Sequence, residues 1–294
     1  MHILISYFFV AHFIKATKPD KHISTKFIRL GFIFYLLSTI GPFSLGVIMA
    51  NGGKQTPLYD LAIYFYLHFF YNGFFTLAIL GIFLKSIYEV IGTKSVELNK
   101  AFKYLGYAIA PSYVLSMFCY YTFGWLFAIG LVSGILQLLG FYYLILFLKA
   151  NKEYIIELYS SKVKFLYVGL YAFGFKILLQ LFSGFPFSAE LICNAHPMII
   201  AYLHMVFIGF ITFSLLGLLF QSKLLSINDK RLNWGFIILL SSFLLSELFI
   251  AIPAFPFANG LISGETNYYM IFIPSVIMLV GVLFFVKVSA FKIK

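Results

Sequence analysis

Two histidines set inside long apolar runs are the residues of this chain best suited to chemistry. His68 lies within the run 58–84 and His204 within 197–220. An ionisable side chain in hydrocarbon is costly, so one retained there implies a partner or a task. Tyr64, His68 and Asn72 recur at every fourth residue, which places them on one helical face continued by Thr76. His68 sits near the middle of its run, and His204 follows Pro197 by about two turns, so both start from one membrane face and reach comparable depth. His196 is about 12 Å along the axis from His204, too far to share one metal ion. If the two helices pack together, the imidazoles of His68 and His204 face each other and can ligate a haem b between them. A copper ion is the alternative, and a third reading has both rings neutral and holding no cofactor. A ligating imidazole needs a hydrogen-bond partner for its other nitrogen. Tyr64, Asn72 and Tyr202 are the candidates.

A second polar set lies elsewhere. Lys176 and Gln180 are an i, i+4 pair in the run 164–183, and Glu247 lies in 232–252. A Lys176–Glu247 ion pair would lower the cost of burying each charge. It reads either as part of a proton or ion path or as a structural bridge, with a lysine snorkelling to the interface as the plain alternative. A transporter would need a polar cavity near mid-membrane, lined by Tyr64, Asn72, Gln137 and Gln180. Glu190 and His196, beside Asn194, form an outward polar patch that could exchange protons or simply be solvated. Cys119 and Cys193 have no ligand-like spacing and are expected to be buried thiols, a disulfide being the alternative.

The elements that must position these groups follow from composition. Of 294 residues, 62% are hydrophobic and 11% charged, against roughly a quarter charged in soluble domains. Runs of about 20 apolar residues match a hydrocarbon core about 30 Å thick. They predict an all-α, polytopic transmembrane helix bundle with spans near 27–50, 58–84, 101–122, 124–148, 164–183, 197–220, 232–252 and 268–286. Residues 1–14 are apolar but short; they lack the basic start and cleavage site of a signal peptide and read as a thin ninth helix. Residues 1–294 form a single transmembrane helical domain in this reading.

Charge orients the bundle. Of 21 basic residues, 19 fall on one side: Lys15 to Arg29, Lys85 to Lys103, Lys149 to Lys164, Lys223 to Arg231 and Lys287 to Lys294. Only Lys54 lies opposite, and Lys176 is inside a helix. The positive-inside rule makes the lysine-rich side, with the C-terminus, cytoplasmic. The formal charge of +11 is thus a topology signal and a contact for anionic lipid, not a nucleic-acid surface. The outward loops 184–192 and 254–262 match at five of nine positions, which either chance in a Phe-rich chain or an internal duplication produces.

Tyr66-Leu-His68-Phe-Phe-Tyr-Asn72-Gly73 and Ala201-Tyr-Leu-His204-Met-Val-Phe-Ile-Gly209-Phe resemble histidine-bearing helices of the haem–copper oxidase subunit I superfamily. They are nearest to its short divergent relatives, the NnrS-like haem and copper membrane proteins. The likeness covers about 50 residues and implies haem in a helix bundle, with a role in respiration or nitric oxide metabolism. The chain departs from that pattern. Its six histidines are His2, His12, His22, His68, His196 and His204, with no adjacent pair and none in the last two runs. Oxygen or nitric oxide reduction by this chain alone is therefore not expected.

The sequence thus predicts a multi-pass protein of a bacterial inner membrane, in contact with lipid and with a respiratory or other membrane complex. Two functions compete with the haem or metal reading: a small-solute or ion transporter, and a structural or assembly subunit. Whether any catalysis occurs is left open. Phosphate-loop and dinucleotide motifs are absent from the sequence, as is any acidic or multi-histidine cluster at a cytoplasmic loop.

Overall fold

A computed structural model describes residues 2–91, 95–225, 227–254 and 264–286. Lys94, most of the loop 254–262, and Lys287, Lys292 and Lys294 lie outside them. Among the described residues every regular element is helical, as hydrocarbon demands, since a helix satisfies its backbone groups internally. Six helices are long and apolar enough to cross a membrane: Ile23–Ala50, Pro57–Ile87, Gly124–Ala150, Lys152–Ser183, Pro197–Gln221 and Asp229–Ala251. Ile3–Thr17 and Tyr268–Leu283 are apolar but shorter. The protein is an all-α, multi-span membrane helix bundle.

The chain runs through α1 (His2–Thr17), α2 (Ile23–Ser38), α3 (Ile40–Ala50) and α4 (Pro57–Leu67). A π-helical segment, His68–Phe75, leads into α5 (Thr76–Ile91). Then come α6 (Val96–Ser112), α7 (Gly124–Ala150), α8 (Lys152–Tyr159), α9 (Val163–Ser183) and α10 (Pro186–Asn194). A second π segment, Met205–Thr212, joins α11 (His196–His204) to α12 (Phe213–Gln221), followed by α13 (Asp229–Ala251) and α14 (Gly264–Leu283). Helix starts carry the expected chemistry. Pro57 and Pro197 occupy the first turn, where a missing N–H costs nothing. Ser95 Oγ accepts from Leu98 N, and Asn228 Oδ1 from Arg231 N.

The span expected at 101–122 differs from this pattern. Its α-helix ends at Ser112, one residue after Pro111, and tightens into a 3-10 turn over Tyr113–Met117. Proline cannot donate to the helical ladder, and the backbone changes register just beyond it.

Contacts group the chain into two compact units: residues 1–155 with 174–193, and residues 156–173 with 194–294. In the first, α2 packs along the first π segment and α5, α3 lies against α4, and α6 pairs with α7. In the second, α13 pairs with α14 and also meets α11. A phenylalanine-rich core of Phe165, Phe213, Phe220, Phe243 and Phe285 fills it, with Leu232, Leu239 and Met278.

The cysteines correct the expectation of buried thiols. Cys119 and Cys193, 74 residues apart, are disulfide-bonded with Cα atoms 5.3 Å apart. The bond joins the turn after the 3-10 segment to α10, beside a small cluster of Phe118, Leu126 and Ala189. Only the packing of α7 with the α9–α10 corner brings them together, which spacing could not reveal. Near it Tyr120 donates its hydroxyl to Asp60 Oδ2 at 2.5 Å. Burial first, and this bond second, push the Tyr120 hydroxyl above its ordinary pKa.

Candidate functional site

The two histidine helices share a local build. Tyr66, Leu67, His68, Gly73, Phe74 and Thr76 recur as Tyr202, Leu203, His204, Gly209, Phe210 and Thr212, six of eleven positions. In each, an eight-residue π segment begins at or just after the histidine. Each ends at or just before a threonine whose Oγ1 donates five residues back: Thr76 to the Tyr71 carbonyl at 2.9 Å, Thr212 to the Phe207 carbonyl at 2.9 Å. Such widened turns concentrate at functional sites. The glycine in each lets a neighbour approach. A Cβ on Gly73 would lie 2.6 Å from Phe34 Cβ, and one on Gly209 would lie 3.0 Å from Ala172 Cβ and from Phe243 Cζ. One copy falls in each unit. Comparing the two segments directly is the sequence signal that would have found Thr212.

His68 is sealed. Its Nε2 donates to the Ile109 carbonyl of α6 at 2.7 Å, and Asn72 Nδ2 lies 3.3 Å from Nδ1, positioned to donate. Ser112 Oγ sits 3.5 Å from Nε2 and itself donates to the Ile109 carbonyl. The stripe read from sequence thus holds for His68 and Asn72. Tyr64 is only half-buried, and Thr76 turns to the backbone instead. With a proton on Nε2 and the Nδ1 lone pair engaged, His68 as placed has nothing to give an iron or copper ion. It does not fit the role of an axial ligand.

His204 is open. Its Nδ1 lies 3.3 Å from Glu247 Oε1, and neither atom has a hydrogen-bond partner among the described residues. The distance is that of an ion pair, without hydrogen-bond alignment. Although Nδ1 is buried, 34% of the side chain stays accessible, so the open edge of the ring is the one bearing Nε2. Glu247 is 19% exposed. A carboxylate behind one imidazole nitrogen and an open edge at the other is the usual build of a ligating or proton-accepting histidine. An accessible ring edge of this kind is what His68 lacks. Within its own unit, the partner the structure gives Glu247 is His204.

Lys176 and Gln180 belong to the first unit, buried on α9 with Gln137 on α7. Lys176 lies within electrostatic reach of His68. Glu190 is exposed on α10, and His196 opens α11 with its side chain outside the described residues. Among the described residues no group of three or more His, Cys, Asp or Glu side chains is placed to hold a metal ion.

Fold and site together define a multi-span helical membrane protein with a histidine–carboxylate pair inside one of its helix bundles. No protein-family profile matches the chain, and no curated protein is detectably similar to it.

Proposed function

We propose that the protein is a redox-associated membrane protein whose functional imidazole is His204, presented to a haem b or a copper ion. The Glu247 carboxylate against Nδ1, with the Nε2 edge left open, is the observation that carries this reading. Closing that contact to a hydrogen bond would select the tautomer with its lone pair on Nε2, raise the basicity of that nitrogen and fix the ring. The carboxylate also lowers the cost of any positive charge that builds on the imidazole in a low-dielectric setting. A bound haem would supply one-electron transfer. His68 would then buttress the bundle, and His204 would be the ligand from this chain. The resemblance to haem–copper oxidase relatives agrees with this assignment, without the further histidines that gas reduction needs.

The same reading has eight spans with the C-terminus in the cytoplasm of a bacterium and a respiratory complex as neighbour. The disulfide supports this orientation: it lies on the lysine-poor side, and disulfides persist in oxidising compartments. Reduced-minus-oxidised spectra of the detergent-purified protein, expressed with haem plentiful, test the proposal. An alpha band is expected that His204→Ala abolishes and His68→Ala keeps, while Glu247→Gln weakens cofactor affinity about 10- to 100-fold. A colourless protein without bound iron or copper defeats it.

A second reading, solute or ion transport, is favoured by the buried Gln137, Lys176 and Gln180 of the first unit. Counterflow in proteoliposomes distinguishes it, since a redox protein gives none.

A further inference from the structure

Taking His204 as the functional imidazole, a premise that rests on the reading above, we infer that Thr212 is its positioning residue. Thr212 holds Met205–Thr212 in π form, and the π form aims His204 at Glu247. Contacts at two levels tie this stretch to α13. A Cβ on Gly209 would lie 3.0 Å from Phe243 Cζ, and His204 Nδ1 lies 3.3 Å from Glu247 Oε1. Along α13 the two partners are four residues apart, a spacing that keeps both on one helical face. On the facing stretch, which runs antiparallel, the same contacts are five residues apart. In an α-helix of about 3.6 residues per turn, five residues leave the second about 140° round the axis from the first. One of the two would then face away from α13. A π turn removes the mismatch, because its bonds run from i to i+5 and residue i+5 closes the turn that residue i opens. The π segment begins directly after His204, so His204 and Gly209 are the two ends of its first turn. Five π residues thus match four α residues, and both contacts are made.

Thr212 is the side chain suited to keep the turn wide. In an α-helix a threonine hydroxyl donates three or four residues back. Thr212 Oγ1 reaches five back, to the Phe207 carbonyl at 2.9 Å, which is the spacing of the π form. Gly209 fixes where the widened turn sits, since its Cβ position also lies 3.0 Å from Ala172 Cβ of α9, in the same unit. The first unit has the same parts and a different outcome. There Gly73 meets Phe34 of α2, whereas His68 meets the Ile109 carbonyl of α6. Its π turn does not bring glycine and histidine onto one neighbouring helix, and Asn72 on the same segment serves the ring as well. Thr76 therefore makes the matching bond without the matching task, and it is the control for Thr212.

Nitrogen NMR of the full chain in nanodiscs, isotopically labelled at histidine and prepared without haem or copper, tests this. The His204 signal is identified by its loss in His204→Ala. The quantity read is the displacement of its Nδ1 resonance when Glu247→Gln is introduced, since the partner of one ring nitrogen sets the state of the ring. That displacement should be present in the otherwise unaltered chain, be lost with Thr212→Val, and return with Thr212→Ser, which restores the hydroxyl. Thr76→Val should leave it whole. Thermal midpoints report folding, and should Thr212→Val fail to fold, Thr212→Ala, equally without the hydroxyl, takes its place. A displacement that is absent from the unaltered chain, that survives loss of the Thr212 hydroxyl, or that Thr76→Val removes as well overturns the inference. Because no cofactor enters the measurement, a colourless protein that passes it defeats the redox reading alone. A haem-loaded protein that fails it defeats the positioning alone.

Discussion

In the first unit the histidine at the head of the π segment faces a backbone carbonyl, that of Ile109; in the second the corresponding histidine faces a carboxylate, that of Glu247. Each partner comes from another helix of the same unit, α6 or α13. The two segments share their tyrosine, glycine and threonine, so the local build is the same and the difference lies in the partner. A carbonyl takes the Nε2 proton, and Asn72 serves the other nitrogen, leaving a neutral, finished ring. A carboxylate behind Nδ1 leaves the Nε2 edge open. Equivalent histidines in a repeated segment need not share a role; the neighbouring helix assigns it.

The disulfide gives the largest handle on the comparison, because it staples the first unit and leaves the second untouched. Closing a loop of 74 residues is worth about 4 kcal/mol on chain-entropy grounds. Cys119→Ser with Cys193→Ser should therefore lower thermal stability in detergent markedly. Proteolysis of the double variant should cut first within 1–155, with 194–254 protected for longer; simultaneous cutting in both would break the picture of two separable units.

The histidines themselves come next. His68→Leu removes two buried hydrogen bonds, at a cost of about 2–3 kcal/mol. His204→Leu should cost less than about 1 kcal/mol, since Glu247 can take up a proton once its partner is gone. Equal losses in denaturation of the two variants would erase the contrast between a sealed ring and an open one.

The smallest contrast between the two units concerns the glycines. Gly73→Ala forces its methyl against the Phe34 Cβ at 2.6 Å, where α2 must move, and should cost about 1–3 kcal/mol. Gly209→Ala meets atoms at 3.0 Å, including a ring edge free to tilt, and should cost roughly half as much. Thermal midpoints of the two variants rank them; the reverse order would mean that the second π segment is the tighter one.

Much of this was legible beforehand. Apolar runs placed the long helices, and the His68–Asn72 spacing correctly put both residues on one face. The span at 101–122 was legible as apolar, but its early end was not read from Pro111. The bonded cysteines went unread because no local pattern links residues 74 apart. The π segments were missed because a reading with 3.6 residues per turn has no place for an extra residue. The His204–Glu247 pair was not read, because opposite charge drew Glu247 toward Lys176 and nothing in the spacing sets α11 against α13.

By itself the sequence determined that this chain is a membrane protein of apolar helices, with polar groups confined to a few positions along them. Those are properties of composition along one dimension, and hydrocarbon reads them directly. Only tertiary structure decided which histidine is closed and which is open. The Ile109 carbonyl leaves no trace in residue identity, because every residue carries a carbonyl. Glu247 becomes informative only when α13 sets it 3.3 Å from His204.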